Sequence, residues 1–290
     1  RKGENMFVQG FFDEATFTIT YLVADEDSGE AVIIDPVTEY DAGRAKLAST
    51  PIDLVLDVAT DRGFRITRVL DTHAHADHLS AADYVRRKTG ARYGIGGRIT
   101  EVQTVFKTLF NAKDVNTNGV VFDDLFADGE TFKVGNLDAK VIATPGHTPA
   151  CVTYVIGDAA FVGDTMFMPD YGTARTDFPG GDAGTLYDSI QKILSLPGDT
   201  RVFVGHDYLP EGRTEYVWET TVAEQKAKNI HVHDGISREQ FIEMRNTRDA
   251  KLAPPRLIMP SLQVNIRAGQ LPPAEDNGKQ YIKIPVSLVG

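Results

Sequence analysis

The chain has 290 residues, 42% of them hydrophobic, a single cysteine and a formal charge of -11, enough apolar mass for one large core or for a core with an appendage. So acidic a balance disfavours nucleic acid and anionic membranes as partners, because both are bound largely by neutralising phosphates with Lys and Arg, and any anionic ligand must meet local positive charge. The lone Cys151 excludes an intrachain disulfide framework and a cysteine-rich zinc site and fits a reducing compartment. No apolar run approaches the roughly 18 residues of a membrane span, and none follows Arg1-Lys2-Gly3-Glu4-Asn5 as the core of a signal peptide would. A cytoplasmic protein is therefore expected, unless a presequence has been removed.

In chain order, Thr16 to Val23 and Ala31 to Ile34, joined around Asp27-Ser28-Gly29, predict a β-hairpin. Ile52 to Gly63 reads as a helix ended by its glycine, and Ile66 to Leu70 as a strand running into a sheet interior. A helix over 80–89 follows, with Ser80 as its N-cap, then a short strand at Tyr93 to Ile95 and a helix from Thr100 to Phe110. Between 120 and 167, Gly129, Gly135, Gly146, Gly157 and Gly163 punctuate the runs Lys140 to Ala143, Val152 to Ile156 and Ala160 to Val162, which predicts a second, antiparallel sheet. A helix from Thr185 to Leu196 and a strand from Arg201 to Val204 complete the pattern. Beyond Val217, helices are predicted over Glu219 to Asn229 and Ser237 to Asp249, the latter opened by a Ser237-Arg238-Glu239-Gln240 capping box. The Pro254-Pro255 break then leaves one short strand, Tyr281 to Val286. The expected architecture is α/β, two sheets flanked by helices over residues 1–216, with a helical and extended C-terminal appendage, 217–290, packed on it.

Thr72-His73-Ala74-His75-Ala76-Asp77-His78 sits in the loop between a strand and a helix. Side chains two apart in an extended segment point the same way, which aims His73 and His75 together. Imidazoles and a carboxylate at this density are costly to desolvate without a cation. The same local slot recurs: His147 follows Thr144-Pro145-Gly146, Asp164 follows Phe161-Val162-Gly163, and His206 follows Phe203-Val204-Gly205, each an apolar strand, a glycine, then a ligand-type side chain. Any one of these is weak evidence. Together they hold five of the seven histidines and predict one converging metal site. His231 and His233 lie outside such slots and read as surface or appendage residues.

The order His73-x-His75-x-Asp77-His78, His147, Asp164, His206 resembles the metallo-β-lactamase superfamily over about residues 15 to 210. That resemblance implies an αβ/βα sandwich with its metal site at one edge. Gly146-His147-Thr148-Pro149-Ala150-Cys151, Arg175-Thr176-Asp177-Phe178, Leu196-Pro197-Gly198-Asp199, His206-Asp207-Tyr208 and Val264-Asn265-Ile266-Arg267-Ala268-Gly269 resemble the persulfide dioxygenases related to the ethylmalonic encephalopathy protein. The tail from Gln270 is longer than in that branch and resembles the dioxygenase-like domain of bacterial β-lactamase hydrolase-like proteins; Thr173 stands where the branch has a cysteine.

The resemblance implies one Fe(II) per chain held by His73, His147 and Asp164, a two-His, one-carboxylate face with open coordination positions. His75, Asp77, His78 and His206 would orient these ligands or form a second metal site. Glutathione persulfide and O2 are the implied substrates, sulfite and glutathione the products. Arg175, Tyr208 and Arg267 are the implied substrate contacts, although Arg175 could instead pair with Asp177 or Asp182, and Arg267 could equally be structural. A homodimer is the expected oligomer, without support from any motif. Two alternatives stay open: a dinuclear zinc thioester hydrolase of the glyoxalase II type, in which all of these His and Asp residues bind metal, and a non-catalytic metal-binding module. Cys151, Met166 and Met168 read as packing residues.

Overall fold

The computed structural model describes residues 5–289; residues 1–4, part of the stretch read above for a leader, lie outside it. Strands β1 (Met6–Asp13), β2 (Thr18–Asp25) and β3 (Glu30–Ile34) form an antiparallel meander. Next come a small hairpin of β4 (Val37–Asp41) and β5 (Lys46–Ala48), helix α1 (Thr50–Asp61), β6 (Arg65–Leu70), β7 (Leu79–Ser80), α2 (Ala82–Thr89), β8 (Arg92–Gly96), α3 (Ile99–Leu109) and β9 (Asp124–Phe126). The second half runs through β10 (Thr131–Val134), β11 (Leu137–Ala143), β12 (Val152–Ile156), β13 (Ala159–Phe161), α4 (Ala183–Leu194), β14 (Arg201–Phe203) and β15 (Glu219–Thr221). Helices α5 (Val222–Lys228), α6 (Arg238–Asp249) and α7 (Ile258–Asn265) follow.

Two six-stranded mixed sheets result, ordered β1-β2-β3-β6-β8-β9 and β10-β11-β12-β13-β14-β15. Their facing sides bury Ile19, Tyr21, Val32 and Leu70 against Val141, Tyr154, Phe161 and Phe203. The outer side of the first sheet packs Leu22, Ile33, Val69 and Tyr93 against helical residues such as Val55, Val85, Phe106 and Leu262, and the outer side of the second packs Ala160, Val162 and Val202 against Leu186, Ile190, Val222 and Phe241. The fold is thus an αβ/βα sandwich. β2 shows why its sequence reads as a continuous apolar run: all eight residues are buried, because Ile19, Tyr21 and Val23 face the other sheet while Leu22 and Ala24 face helices.

Several predicted elements change. β9 joins the first sheet, parallel to β8, although it lies in the glycine-punctuated region assigned to the second. Ser80 does not cap α2. Its hydroxyl donates to the buried Asp71 carboxylate at 2.7 Å, and Ala81 occupies the cap position with no side-chain bond. The predicted 219–229 helix is split into β15 and α5 by Thr221, whose hydroxyl accepts from the Glu224 amide. No strand forms over 281–286, where the Lys283 backbone is paired instead by the Gln263 side-chain amide, N to Oε1 at 2.9 Å and Nε2 to O at 2.6 Å. The capping box at Ser237 is present as predicted.

Strand direction decides where the motif loops go. β11 and β13 flank β12 and are both antiparallel to it, and β14 is parallel to β13. Their carboxyl ends therefore share one edge of the sandwich, where they meet the loop leaving β6.

Candidate metal centre

The loop after β6 presents His73, His75, Asp77 and His78, the loop after β11 presents His147, and Asp164 and His206 leave β13 and β14. All are buried except Asp77, whose side chain is 22% exposed. Glycine permits the approach of these loops. A Cβ on Gly163, whose φ is 53°, would lie 2.5 Å from Thr72 Oγ1, and one on Gly205 would lie 2.8 Å from Asp164 Oδ1.

His73, His147 and Asp164 form one candidate triad, with both histidine Nε2 atoms 3.5 Å from Asp164 Oδ2. Their far nitrogens are committed. His147 Nδ1 donates to the Arg175 carbonyl at 2.7 Å. Thr72 Oγ1 donates to Asp35 Oδ2 at 2.9 Å, so His73 Nδ1, also 2.9 Å from that hydroxyl, must donate to it. Both imidazoles therefore turn a lone pair on Nε2 toward Asp164. Burial, partly opposed by Asp164, lowers the His147 pKa to about 4 and keeps its ring in the neutral form a metal requires. Burial would raise the Asp164 pKa, but His206 and His73 overcome this and hold it well below the usual carboxylate range.

A second triad shares Asp164. His206 Nε2 lies 3.3 Å from Asp164 Oδ1 and 3.4 Å from Asp77 Oδ2, while its Nδ1 donates to Phe17 O at 3.1 Å. His75 Nε2 is held by Asp35 at 3.0 Å and lies 3.5 Å from Asp71. Among the described residues His73 Nε2, His75 Nδ1, His78 Nε2 and Asp164 Oδ1 are buried without a hydrogen-bond partner. Orphaned acceptors at this density are expensive unless a cation satisfies them, so the donor set fits a metal ion.

A family model described as the metallo-beta-lactamase superfamily matches residues 15–206. The chain belongs to that superfamily. It is 50% identical to a probable metallo-hydrolase of Burkholderia pseudomallei over 98% of this chain and 100% of that protein. It is 49% identical to the beta-lactamase hydrolase-like protein of Xylella fastidiosa over 97% of this chain, yet it spans only 65% of that longer relative. The human mitochondrial persulfide dioxygenase ETHE1 is 32% identical over 92% of this chain and 90% of its own length. The crystal structure of ETHE1 from Myxococcus xanthus superposes with a TM-score of 0.72 at 32% identity, covering 91% of this chain and all of that one. Within the superfamily these likenesses support the persulfide dioxygenase branch.

Beside the edge site of this superfamily member lies a cavity of about 380 Å³, with Asp77, His147 and Asp164 in its wall together with Phe17, Phe167 and Tyr208. Tyr208 stacks among Phe17, Tyr171 and His206 at centroid distances of 5.2–5.5 Å. Arg175 also lines the cavity, but its guanidinium is bidentate to Asp177 at 2.6 and 2.7 Å and donates to Ala253 O at 2.8 Å. Arg267 is not brought here. It is bidentate to Asp114 at 2.8 Å, bonds Gln263 O, and borders other cavities beside the C-terminal tail. Cys151 is buried, its thiol pushed up to about 12 by burial. His231 is buried and not a surface residue: its Nδ1 accepts from the Thr173 amide at 3.0 Å.

Three supporting residues escaped the sequence reading. Asp35 and Asp71 buttress His75 from behind the site, and their signal is an acid at the end of an apolar strand. Asn265 of α7 donates to His75 O at 2.8 Å and His78 O at 2.9 Å and accepts from Ser80 N at 2.8 Å. Its only signal was a side-chain amide at the end of α7, which Gln263 in the same helix shares.

Proposed function

We propose that this chain is an iron(II) persulfide dioxygenase, converting glutathione persulfide, O2 and water to glutathione, sulfite and two protons. The observation that carries the reading is the His73–His147–Asp164 triad, two tautomer-locked imidazoles and one carboxylate facing a cavity. Facial sets of this composition suit non-haem iron(II). When bound there, iron(II) supplies open positions at which a sulfur donor and O2 are brought side by side. The protein's own part is positioning: Thr72 and the Arg175 carbonyl fix the two rings, Phe17, Phe167, Tyr171 and Tyr208 wall the cavity with aromatic surface, and the Tyr208 hydroxyl is available to a peptide substrate. Holding two reactants together makes their encounter effectively unimolecular, which can supply several kcal/mol of rate enhancement.

A specific observation favours a second reading. Asp77, Asp164 and His206 form another complete donor set, as a dinuclear thioester hydrolase would need, and the Burkholderia relative carries a metallo-hydrolase name. Metal content, oxygen uptake and sulfite release measured on one anaerobically purified sample separate the two. The dioxygenase reading expects one iron per chain, oxygen uptake only with a persulfide, and slow cleavage of S-lactoylglutathione. It also expects His73→Ala or Asp164→Ala to lose the iron and His206→Ala to retain it. Two stoichiometric zinc ions with rapid thioester cleavage and no oxygen uptake would move the assignment to the hydrolase.

A further inference from the structure

Four arginines line the cavity beside the metal centre: Arg175, Arg245, Arg248 and Arg256. In a chain with 41 acidic and 30 basic residues, an arginine without an acid is the exception. Arg175 is neutralised by Asp177. Arg245 is buried, pairs with Asp249 at 2.9 Å, and is used to hold the Thr173 carbonyl at 2.8 Å. Arg248, at the end of α6, and Arg256, just before α7, differ. Both are exposed, and among the described residues neither makes an ion pair or a side-chain hydrogen bond. The acids in the cavity wall are Asp77 and Asp164, which belong to the metal centre. The cavity therefore has an anionic end that takes a cation and a rim with two uncommitted guanidinium groups.

We infer that Arg248 and Arg256 form a carboxylate-binding subsite, which holds the terminal carboxylates of a small anionic thiol derivative while its sulfur lies at the His73–His147–Asp164 face. The identity of the sulfur end rests on the proposed function; the carboxylate end rests on the free cations. Guanidinium presents a planar fork of donors that matches a carboxylate in two parallel bonds, where a lysine would offer only a point charge. A cavity of about 380 Å³ is near the lower end of the ~300–1,000 Å³ typical of small-molecule sites, so it suits a peptide-sized carrier better than a large coenzyme. Arg175, the cation that the sequence singled out for this task, has its charge already matched.

The test is calorimetric titration of the whole 290-residue chain, iron-loaded, with S-methylglutathione, an unreactive thioether, and with its dimethyl ester, in which both carboxylates are masked. Arg248→Gln and Arg256→Gln should each weaken binding of the acid about tenfold, and the double variant about a hundredfold. The wild type should bind the ester as weakly as the double variant binds the acid, and added salt should erode the preference. Both side chains are exposed, so the fold does not depend on them. A double variant that binds the acid like wild type, a wild type that holds ester and acid equally, or no binding to the wild type would each overturn the subsite. Because binding of a thioether is read, this outcome is independent of whether a persulfide drives oxygen uptake.

Discussion

At the scale of single residues, the centre depends on how little room surrounds Asp164. Its carboxylate faces His73 and His147 through one oxygen and His206 through the other, and the backbone of Gly205 presses close to it. A methyl group added at Gly205 would stand 2.8 Å from Oδ1 and 2.9 Å from the Gly163 carbonyl, inside any normal contact. Neither neighbour can yield without moving the carboxylate. Gly205→Ala is therefore expected to lower metal affinity by about tenfold or more, the scale seen when groups that orient metal ligands are disturbed, while the far-ultraviolet circular dichroism stays native. Competition with a chromophoric chelator measures this, and unchanged affinity would show that the close approach is incidental.

Between elements, the decisive contact is that of α7 with the metal loop. Asn265 satisfies two carbonyls and one amide of residues 75–80 at once, in a place buried from water. A side-chain amide is the one group that offers both donors and an acceptor in this arrangement. Asn265→Ala leaves all three backbone groups unpaired and should cost on the order of 3 kcal/mol in urea unfolding, with metal lost at lower chelator concentration. Asn265→Asp keeps the acceptor for Ser80 but sets a carboxylate against two carbonyls, and should be no better. A stability within error of wild type for both variants would mean that water replaces the amide. The same region repeats the device: Asp249 accepts from the Thr176 amide at 2.8 Å while pairing with Arg245, and so steadies the loop whose Arg175 carbonyl orients His147. The C-terminal helices thus act on the site from outside residues 15–206.

For the whole molecule, a buried cluster of carboxylates and imidazoles makes stability depend on what cation is present. At a metal concentration about a hundredfold above the dissociation constant, binding to the folded state alone contributes about 2.7 kcal/mol. Removing the ion should lower the melting temperature by roughly 5 °C or more. In the apoprotein a proton on His206 takes over part of the role: burial alone would lower its pKa, but Asp164 and Asp77 raise it from 6.5 to about 9. The folded state then binds more protons than the unfolded one between those values, so this contribution is complete below pH 6.5 and is lost as pH rises through 9. Melting curves should show the apoprotein losing stability over that window and the metal-loaded protein losing little. Coincident curves for the two forms would rule this coupling out. Among the described residues no helix is long and apolar enough to cross a membrane.

What was legible in the sequence is whatever depends on local chemistry. Apolar runs marked the hairpin and the central strands, the Ser237 capping box marked α6, and the histidine-rich loop of residues 72–78 together with the strand-glycine-ligand slots at His147, Asp164 and His206 marked every residue of the two triads, because ligands at strand ends carry their own signature. Tertiary structure decided what depends on neighbours distant in the chain. β9 is too short to declare its sheet, and it pairs with β8 because that edge was open. Ser80 stands one residue before the cap position of α2, its hydroxyl bridging the Asp71 carboxylate and the Ala82 amide, and Arg267 is held away from the site by Asp114. Arg175 takes the local pairing with Asp177 that the sequence leaves open, whereas the Arg267–Asp114 pair joins residues 153 apart in the chain, which no local pattern encodes. Arg175 and Arg248 line one cavity wall and each has an acid one or two residues along, yet only the packing decides that Asp177 pairs with the first while Asp249 turns to Arg245 and, among the described residues, leaves the second without an ion pair.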